Sequence, residues 1–215
     1  MKNFELSWGD IFILFFLTLG PLKAILPFAR ATRGTERAFQ RRIAWQSTAI
    51  ATVIVLVVAL LAPFVLTNWH VSPAAISITG GIILFHQALT IITHAPAAAA
   101  SAHQEASPSP PSPAIAVFPI AMPALVTAPG IAAIATIAVI GKHDLARELV
   151  VIAVLLAVMA LNLLTLWNNE AILIHGFAAV LPVIGWVLAV LQAALAVQMV
   201  IYSLRVLEVL HLPAS

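Results

Sequence analysis

Long apolar runs separated by short polar stretches are the main pattern of this chain. A helix that crosses a bilayer needs roughly 20 mostly apolar residues. Six runs meet that length, at about residues 11–29, 43–67, 71–93, 114–141, 149–167 and within 182–210. A short interfacial stretch around residues 171–180 precedes the last run. The pattern predicts an all-α, polytopic integral membrane protein with six transmembrane helices.

A polar segment divides the predicted spans into two groups of three. Residues 94–113 are rich in proline, serine and alanine and lack an apolar period, which is typical of a flexible linker. The first group then occupies residues 1–93 and the second residues 114–215. Because three is odd, the second group would insert upside down relative to the first. This is the plan of the inverted repeats found in secondary transporters.

Prolines interrupt the span that opens each group. The first contains GPLKAILPF at residues 20–28, and the fourth contains FPIAMPALVTAPG at residues 118–130. Proline has no N–H and frees the carbonyl four residues before it. An unpaired carbonyl in hydrocarbon is costly, so each freed group needs another helix, water or a ligand. Either the prolines only kink packed helices, or they break two spans around a site for a small solute.

Lys23 lies near the middle of the first predicted span. A charge at such a depth costs about 3 kcal/mol on insertion scales. Lys23 precedes Arg30 by seven residues, which is roughly 10 Å at helical rise, so its stem can nearly snorkel to the interface. The other interpretation is a functional cation that lines a cavity, and the sequence leaves both open.

His86 is a second polar residue deep in a predicted span. It either bonds a neighbouring helix or acts as a ligand or proton relay. Gly80 and Gly81 precede it and allow close helix approach, with Ser77 and Gly81 as a small-xxx-small pair. Asn162 in the fifth span is expected to face protein or a cavity.

Composition removes several classes of function. The chain is 62% hydrophobic and 8% charged, with a mean hydropathy of +1.08, too apolar for a soluble fold of 215 residues. Its net charge of +2 does not indicate nucleic-acid binding. It has no cysteine, no HExxH, GxSxG, Walker or GxGxxG motif, and no acidic residue deep in a span. We therefore expect no catalysis, no metal and no cofactor.

The loop after the first span carries five arginines within residues 30–42. The positive-inside rule places this loop in the cytoplasm. With six spans, both termini then lie outside, and the linker lies inside.

Several segments resemble those of a known family. ISITGGIILFHQALTII, IAVFPIAMPALVTAPGIAAI and LAVLQAALAVQMVIYSL are similar to characteristic motifs of the MarC family, which includes the SnatA-type amino-acid transporters. The resemblance covers nearly the whole chain. It implies a protein of the bacterial inner membrane, some of whose relatives transport small neutral amino acids. It also allows a homo-oligomer.

The first span departs from the family pattern, which has Asn or Asp, Pro, any residue, Gly, then a second Pro and Phe. Here Gly20 takes the place of Asn or Asp, Lys23 takes the place of the glycine, and Pro27 directly precedes Phe28. In the fourth span Ala128 stands where glycine is usual.

The leading hypothesis is a secondary transporter of a small polar solute, a neutral amino acid or a small organic acid, that works by alternating access. The alternative is a non-transporting membrane protein that binds a lipid or a partner. Candidate substrate-binding residues come from both broken spans and from spans three and six. They are Gly20, Pro21, Lys23, Pro27, Gly80, Gly81, His86, Pro123, Thr127, Pro129, Gly130 and Gln198.

Overall fold

The computed structural model describes residues 8–100, 113–141, 145–169, 178–207 and 209, and every regular element in those ranges is helical. Four helices are long and apolar enough to cross a membrane. They are α3 (Arg37–Asn68), α4 (Pro73–Ala100), α6 (Leu145–Trp167) and α7 (Ala178–Val206). These helices confirm predicted spans two, three, five and six.

The first predicted span is interrupted. Helix α1 (Trp8–Leu19) ends, a 3-10 turn forms at Pro21–Lys23, and α2 (Ile25–Ala31) follows. At 1.5 Å per residue, α1 is about 18 Å long and α2 about 10 Å, so neither can cross the hydrocarbon alone. We call residues 20–24 the first break. The first predicted span, and with it the total of six, therefore stays a prediction.

The fourth predicted span is bent. A short turn at Pro113–Ala116 leads into an irregular helical segment, Val117–Leu125, and then into α5 (Ala128–Gly141). The two arms meet at an angle of 61°, and together they make a fifth candidate span. Val126 and Thr127, which separate the arms, are the second break. Prolines cause the irregularity, because Phe118 and Met122 are extended and each precedes a proline, which disfavours the α conformation.

Two predicted segments are only partly described. Helix α4 continues to Ala100, seven residues into the segment predicted as a linker. Residues 101–112 of that linker, and residues 171–177 of the predicted interfacial stretch, lie outside the described residues.

Helices α4 and α7 form the most extensive helix–helix contact of the described residues. Gly81 packs against α7, where a Cβ at this position would come within 2.8 Å of the Ala196 carbonyl oxygen. The buried Gln192 of α7 donates from Nε2 to the Leu84 carbonyl at 3.0 Å and to Gln87 Oε1 at 3.1 Å. Small residues therefore bring the backbones together, and a buried glutamine satisfies polar groups between them.

The apolar core surrounds the two breaks. Phe15 and Phe28, on either side of the first break, are fully buried, and so are Leu125 and Ile134 on either side of the second. Helices α3 and α6 pack against each other and against the broken segments. The four long helices thus hold the interrupted segments in the middle of the bundle.

The seam between α4 and α7 yields a stability prediction. We expect Gly81→Ala to destabilise the protein by about 1–3 kcal/mol, because the added methyl group overpacks the helix contact. Gly185→Ala is the matched control, since a Cβ at Gly185 meets nothing within 4 Å. Thermal unfolding in detergent measures both variants. Equal melting temperatures for the two would contradict the packing argument.

Candidate functional site

The first break begins at a glycine that has no room for a side chain. Gly20 is buried, with extended backbone angles (φ −74°, ψ 167°), and it precedes Pro21 at the start of the 3-10 turn. A Cβ on Gly20 would collide with the Phe16 carbonyl. Because glycine has no side chain, the backbone can turn away from α1 in close contact with the Phe16 carbonyl. The end of α1 therefore keeps carbonyls without intrahelical partners.

Thr127, in the second break, satisfies one of these carbonyls. Its hydroxyl donates to the Thr18 carbonyl at 3.0 Å and accepts from the Gly130 N–H at 3.0 Å. The second bond is an N-terminal cap of α5. One hydroxyl therefore joins the carboxyl end of α1 to the amino end of α5, whose partial charges are opposite.

Asn162 of α6 satisfies the next carbonyl. Its Nδ2 donates to the Leu19 carbonyl at 2.7 Å, and the side chain is fully buried. The Oδ1 atom of the same amide is buried and has no hydrogen-bond partner. Sequence reasoning noted Asn162 as a polar residue facing protein or a cavity, but did not include it in the site. The signal in the sequence that could have identified it is a single side-chain amide within an apolar span.

Lys23 closes the 3-10 turn of the first break. Its Nζ atom is buried and has no hydrogen-bond partner. An ammonium that snorkels would reach the membrane boundary, but this one is enclosed by protein. A buried ammonium without an acceptor is costly. The turn therefore holds a cation without an acceptor. Helix α6, which carries the unpartnered Asn162 Oδ1, contacts this turn.

The other residues predicted at the two breaks differ in how far they are buried. Gly130 is buried and packs against the Leu19 side chain, so the two breaks touch. Pro27 and Pro129 are partly buried in the first turns of α2 and α5. Pro123 is exposed. Of the predicted set, the structure brings Gly20, Pro21, Lys23, Thr127, Pro129 and Gly130 to the two breaks.

Four predicted residues lie elsewhere. Gly80 faces Thr136 of α5, and Gly81 faces α7, so both serve helix packing. His86 and Gln198 are exposed on α4 and α7, on the sides opposite the buried positions of those helices. Their place in the sequence does not reveal which way they point, because a helix turns through 100° at each residue.

A cavity of about 290 Å³ lies between α3, α5 and α6. Its lining is apolar apart from Glu148, and it includes Pro63 and Ile137. Ile137 is ten residues along the chain from Thr127, roughly 15 Å at helical rise. This cavity therefore does not reach the breaks.

Comparisons with known proteins agree with this membrane architecture. The family model described as "MarC family integral membrane protein" matches residues 6–207. The UPF0056 membrane protein MJ1677 of Methanocaldococcus jannaschii is 24% identical over 205 residues, covering 95% of this chain and 97% of that protein. No solved structure gives a significant match.

The bridging hydroxyl supports a prediction. We expect Thr127→Val to lower the free energy of unfolding by about 1–2 kcal/mol, because it removes the cap of α5 and leaves the Thr18 carbonyl unpaired. Thr127→Ser keeps both bonds and is expected to stay near the parent. Thr79→Val is a control, since that exposed hydroxyl bonds only the Ala75 carbonyl of its own helix. Thermal unfolding in detergent compares the variants, and parent-like melting of Thr127→Val would contradict the bridge.

The enclosed ammonium supports a prediction of opposite sign. Lys23→Met is expected to stabilise the protein by about 2–3 kcal/mol, because it replaces an unpaired buried charge with an apolar side chain of similar length. Lys23→Arg keeps the charge and should bring no such gain. Melting temperatures in detergent at neutral pH measure the difference. A loss of stability in Lys23→Met would show that the ammonium has an acceptor in the folded protein.

Proposed function

The chain belongs to the MarC family of integral membrane proteins, and from that premise we propose that it is a secondary transporter of a small polar solute. The solute is a neutral amino acid or a small organic acid, and it crosses between the two breaks. The observation that carries the proposal is their direct contact through Thr127 and Gly130. Two interrupted helices that meet inside a membrane bundle are a recurring way to build a transport site.

The proposed architecture is six spans in two inverted repeats, in which the first span (α1 and α2) corresponds to the fourth (Val117–Leu125 and α5), α3 to α6, and α4 to α7. The helix contacts support this correspondence. Spans one and four, two and five, and three and six are each in contact, and each pair maps onto itself when the repeats are exchanged. The contact between spans one and five maps onto that between spans two and four, and the contact between spans one and six maps onto that between spans three and four, and all four are present. The contact of α5 with α6 departs from this pattern, because no corresponding contact of α1 with α3 is among the stronger contacts of the described helices.

The ends of the helices support the same topology. The Arg41 guanidinium lies over the Trp167 ring, 5.4 Å from its centroid. The end of α6 is therefore beside the start of α3, on the arginine-rich side. Trp186 Nε1, near the start of the spanning part of α7, donates to the Ile92 carbonyl near the end of that of α4, at 3.3 Å. An inverted second repeat requires both juxtapositions.

The closed breaks fit one state of an alternating-access cycle. Leu19 and Val126 beside the contact are fully buried, as expected of a state in which the two breaks are closed against each other. Transport then requires the repeats to rock apart at the contact between Thr127 and Thr18. Few hydrogen bonds need to be exchanged in that motion. The protein would act as a carrier without catalysis, in the cytoplasmic membrane of a bacterium, with the arginine-rich loop inside.

Another observation favours the alternative function. Arg30, Arg33, Arg41 and Arg42 are exposed at one end of the bundle. Basic side chains near a membrane surface attract anionic headgroups with about 1 kcal/mol each. A protein that only binds lipid or a partner would use this surface and keep the two breaks closed.

A reversible cross-link distinguishes the two functions. The chain has no cysteine, and a Cβ at Gly130 would lie 3.0 Å from Leu19 Cγ. The double variant Leu19→Cys and Gly130→Cys should therefore form a disulfide on oxidation. Purified protein in liposomes is assayed for uptake and exchange of a panel of amino acids, organic acids, sugars and amines.

We expect oxidation to abolish uptake by the double variant and reduction to restore it. Each single cysteine variant is the control and should be insensitive to both treatments. Full uptake after complete cross-linking would place the pathway elsewhere. If the parent transports no member of the panel under any ion gradient, the lipid- or partner-binding function is favoured.

A further inference from the structure

Two buried polar atoms beside the first break have no partner. Lys23 Nζ can donate and Asn162 Oδ1 can accept, yet neither is satisfied. Both groups belong to the surroundings of that break: Lys23 closes its 3-10 turn, which α6 contacts, and Asn162 Nδ2 of α6 donates to the Leu19 carbonyl just before it. The other two unpartnered buried atoms of the described chain, on Thr48 and Asn169, belong to α3 and the end of α6.

The orientation of the Asn162 amide is fixed by chemistry. Exchanging its nitrogen and oxygen would place two acceptors 2.7 Å apart at the Leu19 carbonyl. Asn162 therefore keeps an acceptor free at the first break. A ligand that satisfies both groups needs an acceptor for Lys23 and a donor for Asn162.

Net charge selects among such ligands. The acidic residues of the described chain are Asp10, Glu36 and Glu148, which lie at the ends of α1, α3 and α6 and not at the breaks. An amino-acid zwitterion would bring its own ammonium and leave the charge of Lys23 uncompensated. A small acid whose donor is a hydroxyl would neutralise it. Ala24 is fully buried and Gly130 closely approaches Leu19, so the surroundings of the break are tightly packed, which favours a small ligand.

We propose that Lys23 and Asn162 form the binding site for a small 2-hydroxy carboxylate, with the ammonium on the carboxylate and the amide oxygen accepting from the hydroxyl. This proposal rests on the transport function proposed above and names the substrate class of the same site. When the repeats rock apart, the ligand enters and satisfies both atoms. The energetic cost of the enclosed cation in the closed, empty state favours that binding.

Two isosteric pairs of probes test the proposal. Lactate and alanine have nearly the same shape but differ in net charge, as do glycolate and glycine. Uptake of each labelled probe into liposomes that contain the purified protein is measured at neutral pH. We expect the parent to take up lactate and glycolate at least tenfold faster than alanine and glycine.

Two substitutions then report on the charge. In Lys23→Met the preference for lactate over alanine should fall to near unity or below, whereas Lys23→Arg should retain a clear preference for lactate. Asn162→Asp adds a carboxylate to the proposed site, so the net charge of the site becomes zero and the preference should reverse towards alanine. Size-exclusion profiles and melting temperatures verify that each variant is folded. For the parent, lactate should raise the melting temperature and alanine should not.

The outcomes separate this proposal from the broader one. If the parent prefers alanine, or if Lys23→Met keeps the parent's lactate-to-alanine ratio, the hydroxy-acid site is wrong while transport stands. If the parent transports other members of the panel but none of the four probes, the substrate class is also wrong. If nothing is transported and lactate leaves the melting temperature unchanged, both proposals are overturned.

Discussion

Backbone carbonyls have no water to bond in the membrane interior, and the structure depends on how the end of α1 meets that constraint. An α-helix ends with four carbonyls that lack intrahelical partners. At the first break two of them, on Thr18 and Leu19, are bonded by Thr127 and Asn162 from the other half of the chain. These bonds pair the two halves at the level of the breaks. The interruption of a helix is thus what requires the tertiary contact.

The same contact explains how a closed packing is compatible with a transport function. A continuous helix cannot open in its middle without losing its own hydrogen bonds, but two helix ends joined through one hydroxyl can separate and bond a ligand instead. Helices α4 and α7, by contrast, are joined along their length through Gly81 and Gln192. The molecule therefore combines one extended, tightly packed helix pair with one junction that few bonds hold.

Lys23 has the opposite energetic character to Thr127. Thr127 stabilises the closed state, whereas the enclosed ammonium of Lys23 destabilises it. Natural proteins are marginally stable, and they retain a destabilising group such as a buried, unpaired ammonium chiefly at sites of activity. In the family pattern that the first span resembles, glycine stands at this position.

The sequence alone determined the membrane class, the approximate positions of the four long helices and the location of both interruptions. These follow from local properties: an apolar run must be lipid-facing or buried, and a proline cannot pair its nitrogen. The family resemblance was likewise legible from motifs. The six-span inverted repeat was inferred by counting the predicted spans, and it stays a proposal.

Only the tertiary structure decided which polar residues belong together. His86 and Gln198 looked like site residues but face outward, while Asn162 looked like an ordinary interhelical bond and lies at the first break. For Lys23 the sequence left open either snorkelling or a functional cation that lines a cavity, and the fold buries its Nζ atom without a partner. The direction of a side chain around a helix, and the partner it meets across a hundred residues, depend on how the helices pack. That packing is a property of the whole chain and not of any single segment.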